Sequence, residues 1–166
     1  MMRARWLGGV LASLPLLAVA QTTNVPFGGL KHDASLPVEI TGDRLDLDQA
    51  AGTAVFTGAV KVGQGDMRLA ADKLEVFYVE GSGSSAGQVQ RMIATGNVTL
   101  TNGGEAAEAD QATYEVADGT IDMQGNVLLT QGSNALSSET LHIDLATGTG
   151  QLEGRVQTIF TPGTRP

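Results

Sequence analysis

Gly83-Ser84-Ser85-Ala86-Gly87 matches the G-x-S-x-G pattern that lifts a nucleophilic serine onto a sharp turn. Ser84 or Ser85 would then attack an ester, with His142 and one of the many acids completing the relay. The pattern works only between a strand and a helix. Here it sits inside Gly81-Ser82-Gly83-Ser84-Ser85-Ala86-Gly87, a composition typical of a flexible loop. The loop reading is adopted, and a serine esterase is kept as an alternative.

Asp43, Asp46, Asp48 and Asp66 suggest a hard-cation site. Such sites gather several oxygens within one loop. Asp46 and Asp48 instead alternate with Leu45 and Leu47, as on the wet face of a strand. No D-x-D-x-D-G run is present. His32 and His142 stand 110 residues apart, and no cysteine exists. No metal or cofactor is expected, and no catalytic residue.

The acids carry a different signal. Asp43, Asp72, Asp110 and Glu139 are spaced 29, 38 and 29. Gly58, Gly96, Gly125 and Gly154 are spaced 38, 29 and 29. Gly52, Gly81, Gly119 and Gly148 each follow an acid by nine residues. The three ladders agree on a unit of 29 residues with a nine-residue insertion between Gly81 and Gly96. A fixed period of this size marks one supersecondary unit stacked on copies of itself. The repeated acid reads as structural, a carboxylate accepting amide donors at a turn or strand end.

Within a unit the apolar period is two: Leu74, Val76 and Tyr78, or Leu141, Ile143 and Leu145. That is a half-buried strand. Glycine-bearing turns, such as Asp118-Gly119 and Asn102-Gly103-Gly104, divide each unit into two antiparallel strands. Glycine inside a strand marks a kink or bulge. Four such glycines at one repeat position crease the sheet along one line. The expected fold is all-β: antiparallel, repeat-built and bent into a V-shaped trough. Parity against the charged residues places Ile40, Leu47, Phe56, Val60, Leu74, Val76, Val98, Leu100, Tyr114, Val116, Val127 and Leu129 on its inner face. Ile93 joins them although it is one step off the alternation. Ala54, Ala94, Ala112 and Gly150 are small and leave room inside.

The chain of 166 residues is about one domain. Arg3 and Arg5 precede an apolar run from Trp6 that closes on Ala18-Val19-Ala20. The run is too short to span a bilayer and has the form of a secretion signal cut after Ala20. Residues 1–20 are thus read as signal, 21–36 as a mobile leader, 37–160 as the folded domain and 161–166 as a tail. Formal charge is −8, and loss of Arg3 and Arg5 takes it to −10. With no basic patch, nucleic-acid binding is not expected.

Three stretches carry a resemblance. They are Pro37-Val38-Glu39-Ile40-Thr41-Gly42-Asp43, Phe56-Thr57-Gly58-Ala59-Val60 with Ala71-Asp72-Lys73-Leu74, and the pair Gly96-Asn97-Val98 and Gly125-Asn126-Val127. Over residues 37 to about 158 the chain resembles the OstA-like domains of the lipopolysaccharide transport proteins. The resemblance implies a β-jellyroll shaped like a boat, whose inner face shields the acyl chains of lipopolysaccharide. It implies a periplasmic bridge between the two membranes, with an LptC-like protein at the N-terminal edge and an LptD-like protein at the C-terminal edge. Terminal strands have unpaired backbone groups and recruit other edges. Val38, Ile40 and Leu45 mark one such edge, and Leu152, Val156 and Ile159 the other. Head-to-tail homo-oligomers follow from the same edges. The acidic surface argues that apolar contact, rather than a basic clamp, carries recognition. The rival reading is a structural or adhesive β-repeat protein with a dry core.

Overall fold

The computed structural model describes residues 23–26, 33, 35–81 and 87–160. Eleven strands, with no helix among the described residues, form one sheet. They are β1 (Thr23–Pro26), β2 (Val38–Thr41), β3 (Arg44–Asp48), β4 (Thr53–Gln64), β5 (Met67–Tyr78), β6 (Val89–Asn102), β7 (Glu105–Glu115), β8 (Thr120–Gln131), β9 (Asn134–Asp144), β10 (Thr149–Glu153) and β11 (Gln157–Ile159). β4 to β9 run as an antiparallel meander. β3 and β2 cover the two halves of β4, and β10 and β11 cover the two halves of β9.

The expected crease is present. Register shifts interrupt β4 between Thr57 and Val60, β6 between Thr95 and Val98, and β8 between Gln124 and Val127. The half-strands at either end break at the same line, at Gly42-Asp43 and at Gly154-Arg155. Each crease glycine has φ near +80° and is followed by a residue also at positive φ: Ala59, Asn97, Asn126 or Arg155. Two successive left-handed residues put a bulge in one strand and bend the sheet there.

The acid ladder lands on the glycine ladder. Asp43 faces Gly58, Asp72 faces Gly96, Asp110 faces Gly125 and Glu139 faces Gly154. The donors differ from those expected. Asn97 Nδ2 donates to Asp72 at 2.7 Å and Asn126 Nδ2 to Asp110 at 2.8 Å. Arg155 Nε donates to Glu139 at 2.9 Å. Side chains of the bulge's own second residue, not turn amides, hold these carboxylates.

Bending closes the sheet on itself. On one side of the crease the inner row runs Phe56, Leu74, Ala94, Ala112, Met123, Leu141 and Leu152 across successive strands. On the other it runs Val62, Leu69, Leu100, Ala107, Leu129 and Leu136. Most of these side chains are buried, although the sheet is single, so the two wings cover each other. Each fully buried Leu contributes about 1.5–3 kcal/mol. The outer face is wetted and carries pairs such as Lys73–Glu75 at 3.1 Å and His142–Asp122 at 2.6 Å.

Residues 21–36 differ from the expected mobile leader at one point. Thr23–Pro26 pairs with β10 as β1. Four residues are too few to show alternation, and backbone pairing onto an edge asks little of the side chains. The signal (1–20), the tail (161–166), His32 and the Ser84 and Ser85 pair lie outside the described residues.

Candidate functional site

The candidate site is the space between the wings. Val60, Leu74, Val76, Val98, Leu100, Tyr114, Val127 and Leu129 are buried there, as their parity requires. Ile40, Phe56 and Val116 are half-buried and pack against the same core. Two residues depart from the expected inner face. Ile93 lies between Met92 and Ala94, which are buried, and pairs with Glu75 and Thr113, so it belongs to the outer face. Its odd position in the alternation was the signal. Leu47 has inner-face register, opposite Ala54, but is 67 % exposed because no wing covers β3.

Between the wings lies an apolar cavity of about 30 Å³. Val38, Val62, Met67 and Leu69 line it from one wing, and Met92, Ala112, Tyr114 and Ile121 from the other. It thus occupies the N-terminal half of the sheet, under β2 and β4 to β8. Two of the small residues singled out in the sequence, Ala94 and Ala112, line it and pair with each other across β6 and β7. Ala54 and Gly150 do not. Met67, Met92 and Ile121 escaped the sequence reading, although each keeps the parity of its buried neighbours. The volume holds a water or two and no acyl chain.

Polar chemistry is sparse inside. Gln64 lines the cavity and donates its side-chain amide to the Leu36 carbonyl at 2.9 Å. The Tyr114 hydroxyl is buried without a hydrogen-bond partner. Burial pushes its phenol pKa up, so it stays protonated. The acids outside are locally occupied. Asp46 takes a bidentate contact from Arg44, and Asp48 accepts the amides of Ala50 and Ala51. Among the described residues no cluster of His, Cys, Asp and Glu could hold a metal ion.

This bent sheet with an apolar interior can be set beside known proteins. Residues 39–149 match the family model described as LptA/(LptD N-terminal domain) LPS transport protein. The chain belongs to this family. Its fold and family are those of a transport protein rather than an enzyme. An uncharacterised protein of Rhizobium meliloti (strain 1021) is 32 % identical over 107 residues, 63 % of this chain. The match spans 58 % of that relative's length. The fold is similar to the crystal structure of LptH from Pseudomonas aeruginosa, described as the LptA-homologous periplasmic component of the lipopolysaccharide transport device. The TM-score is 0.68 at 16 % identity, over 78 % of this chain and 99 % of that one.

At the ends the partner-edge residues separate into two kinds. Val38 and Ile40 are half-buried on β2, while Leu45 is 46 % exposed on β3. Among the described residues, β2 and β3 pair on one side only, with β4. At the other end Leu152 is fully buried, its strand flanked by β9 and β1. It is core, not edge. Val156 is half-buried, and Ile159, on β11, is 69 % exposed beside the equally exposed Phe160.

Proposed function

We propose that this protein is a periplasmic carrier that shields the acyl chains of lipopolysaccharide between its wings as the lipid passes from the inner to the outer membrane. The observation that carries the reading is the continuous apolar interior of an open-ended sheet in a chain of this family. An acyl chain gains about 0.8 kcal/mol per methylene on leaving water. It gains little on leaving one apolar medium for another. The interior is therefore a corridor without a driving force of its own, and direction comes from partners.

Those partners are an LptC-like protein on the β2–β3 edge and an LptD-like protein, or a second copy of this chain, on the β11 end. Unpaired backbone groups and the exposed Leu45, Leu47, Ile159 and Phe160 support that arrangement. Head-to-tail pairing of these ends would join successive interiors into one corridor.

Photo-crosslinkers on the chain test the reading directly. Positions Leu74, Leu100 and Leu129 should capture lipopolysaccharide, and Asp46, Lys73 and Thr99 on the outer face should not. Equal capture from both sets contradicts a one-faced corridor. Lipid-free protein recovered from the periplasm, with no capture anywhere, favours the dry β-repeat alternative.

A further inference from the structure

Tyr114 is the anomaly of the interior. Its side chain lines the apolar wall of the cavity and the residue is only 6 % exposed, yet its buried hydroxyl has no hydrogen-bond partner in the protein. A phenylalanine would fill the same wall without stranding a donor. Buried tyrosine hydroxyls usually find a partner, so the group that satisfies this one is looked for in a ligand. A buried water needs two to four polar partners. The cavity offers one other polar side chain, Gln64, whose amide nitrogen serves the Leu36 carbonyl, so a water there would reach two side-chain partners at most, the Tyr114 hydroxyl and the Gln64 amide oxygen. A ligand oxygen meets the hydroxyl without that minimum. The position on β7 is also suited to a ligand. Tyr114 pairs with Met92 and Ile121 on either side, and neighbouring Ala94 and Ala112 leave the free space next to it.

We infer that Tyr114 is the polar contact of the corridor: its phenol hydrogen-bonds an oxygen carried part-way along an otherwise apolar chain, either a hydroxyl or an ester group. The inference rests on the carrier reading, and narrows its ligand from any hydrocarbon to an oxygenated acyl chain. Apolar walls alone grip every chain of a given length equally. One buried donor adds discrimination, because a plain chain seated against Tyr114 leaves the hydroxyl unsatisfied. The same single contact is weak enough to release, as a corridor requires.

The test uses the purified chain and three probe types: dodecanoate, dodecanoates with one hydroxyl stepped along the chain, and their acetylated counterparts. Binding is read by displacement of a fluorescent fatty acid. At least one oxygenated probe should bind about five- to tenfold tighter than dodecanoate. Tyr114→Phe should erase that preference and leave the empty protein at least as stable. Tyr114→Leu should show the same loss of preference. Which series gains, hydroxyl or ester, identifies the oxygen. If all probes bind alike in the parent, or Tyr114→Phe lowers every affinity equally, Tyr114 is packing and the inference falls while the carrier reading stands. If no probe binds at all, the carrier reading falls and takes the inference with it.

Discussion

The Asp72 carboxylate occupies the space that a side chain on Gly96 would need: a Cβ built there would lie 2.5 Å from Oδ2 and 3.1 Å from the Asp72 Cβ. Gly96 also holds φ at +81°, where an L-residue is strained. Two constraints of different origin therefore fix one position. Gly96→Ala should cost roughly 2–4 kcal/mol, the sum of backbone strain and a displaced carboxylate. In an Asp72→Ala background the same change should cost about 1 kcal/mol less, because the carboxylate clash is gone and only the strain and the 3.1 Å contact with the Cβ of residue 72 remain. Urea unfolding of the four proteins measures this coupling. Equal costs in both backgrounds would mean that Asp72 does not bear on Gly96.

The first crease lacks a part that the others have. Asp43 faces Gly58, but the residue after that glycine is Ala59, where the later units place Asn97, Asn126 and Arg155. Ala59 has φ +45° all the same. Asn tolerates that conformation better than Ala, and its amide would reach the Asp43 carboxylate as its counterparts do. Ala59→Asn should stabilise the protein by about 0.5–1.5 kcal/mol. Asn97→Ala should destabilise it by a similar amount. A neutral or harmful Ala59→Asn would show that the creases are not equivalent.

Gln157→Pro and Thr158→Pro, made one at a time, distinguish the pairing of β11 with β9 from its outer edge. Gln157 and Thr158 pair with Ser137 and Leu136. Neighbouring amides in a strand point to opposite sides, so one faces β9 and one faces outward. Of Gln157→Pro and Thr158→Pro, one should loosen β11, and the other should reduce end-to-end assembly in light scattering while leaving thermal stability nearly unchanged. Assembly that survives both changes would move the joint to another surface.

Two groups shape the pH limbs of stability. Asp144 accepts the amides of Thr147 and Ala146, which hold its carboxyl below the usual carboxylate range. Its contribution is present above the unfolded value of about 4 and is lost as pH falls through the lower folded value. Asp144→Asn should flatten the acid limb of the unfolding profile. Tyr114, raised by burial, acts at the other end. Its contribution is complete below the unfolded value of about 10 and is lost as pH rises towards the folded value. Tyr114→Phe should flatten the alkaline limb. Profiles unchanged by either substitution would dismiss these assignments.

The sequence by itself determined everything that depends on spacing. Period-two alternation set the strands, the glycine-bearing turns set the meander, and two ladders with one shared period located the crease at Gly58, Gly96, Gly125 and Gly154. Parity placed Leu74, Val98, Leu100 and Leu129 inside, because a strand has only two faces. Tertiary structure decided what lies across the fold rather than along the chain. That acid and glycine ladders meet depends on strand pairing, and the acids' role as occupants of the glycine's empty space has no trace in one strand alone. The exposure of Leu47 and the burial of Leu152 were equally out of reach: alternation gives a face, while the reach of the opposite wing decides whether the face is covered. Tyr114 looked like one more apolar residue of β7. Only the packing of the two wings around it left its hydroxyl alone.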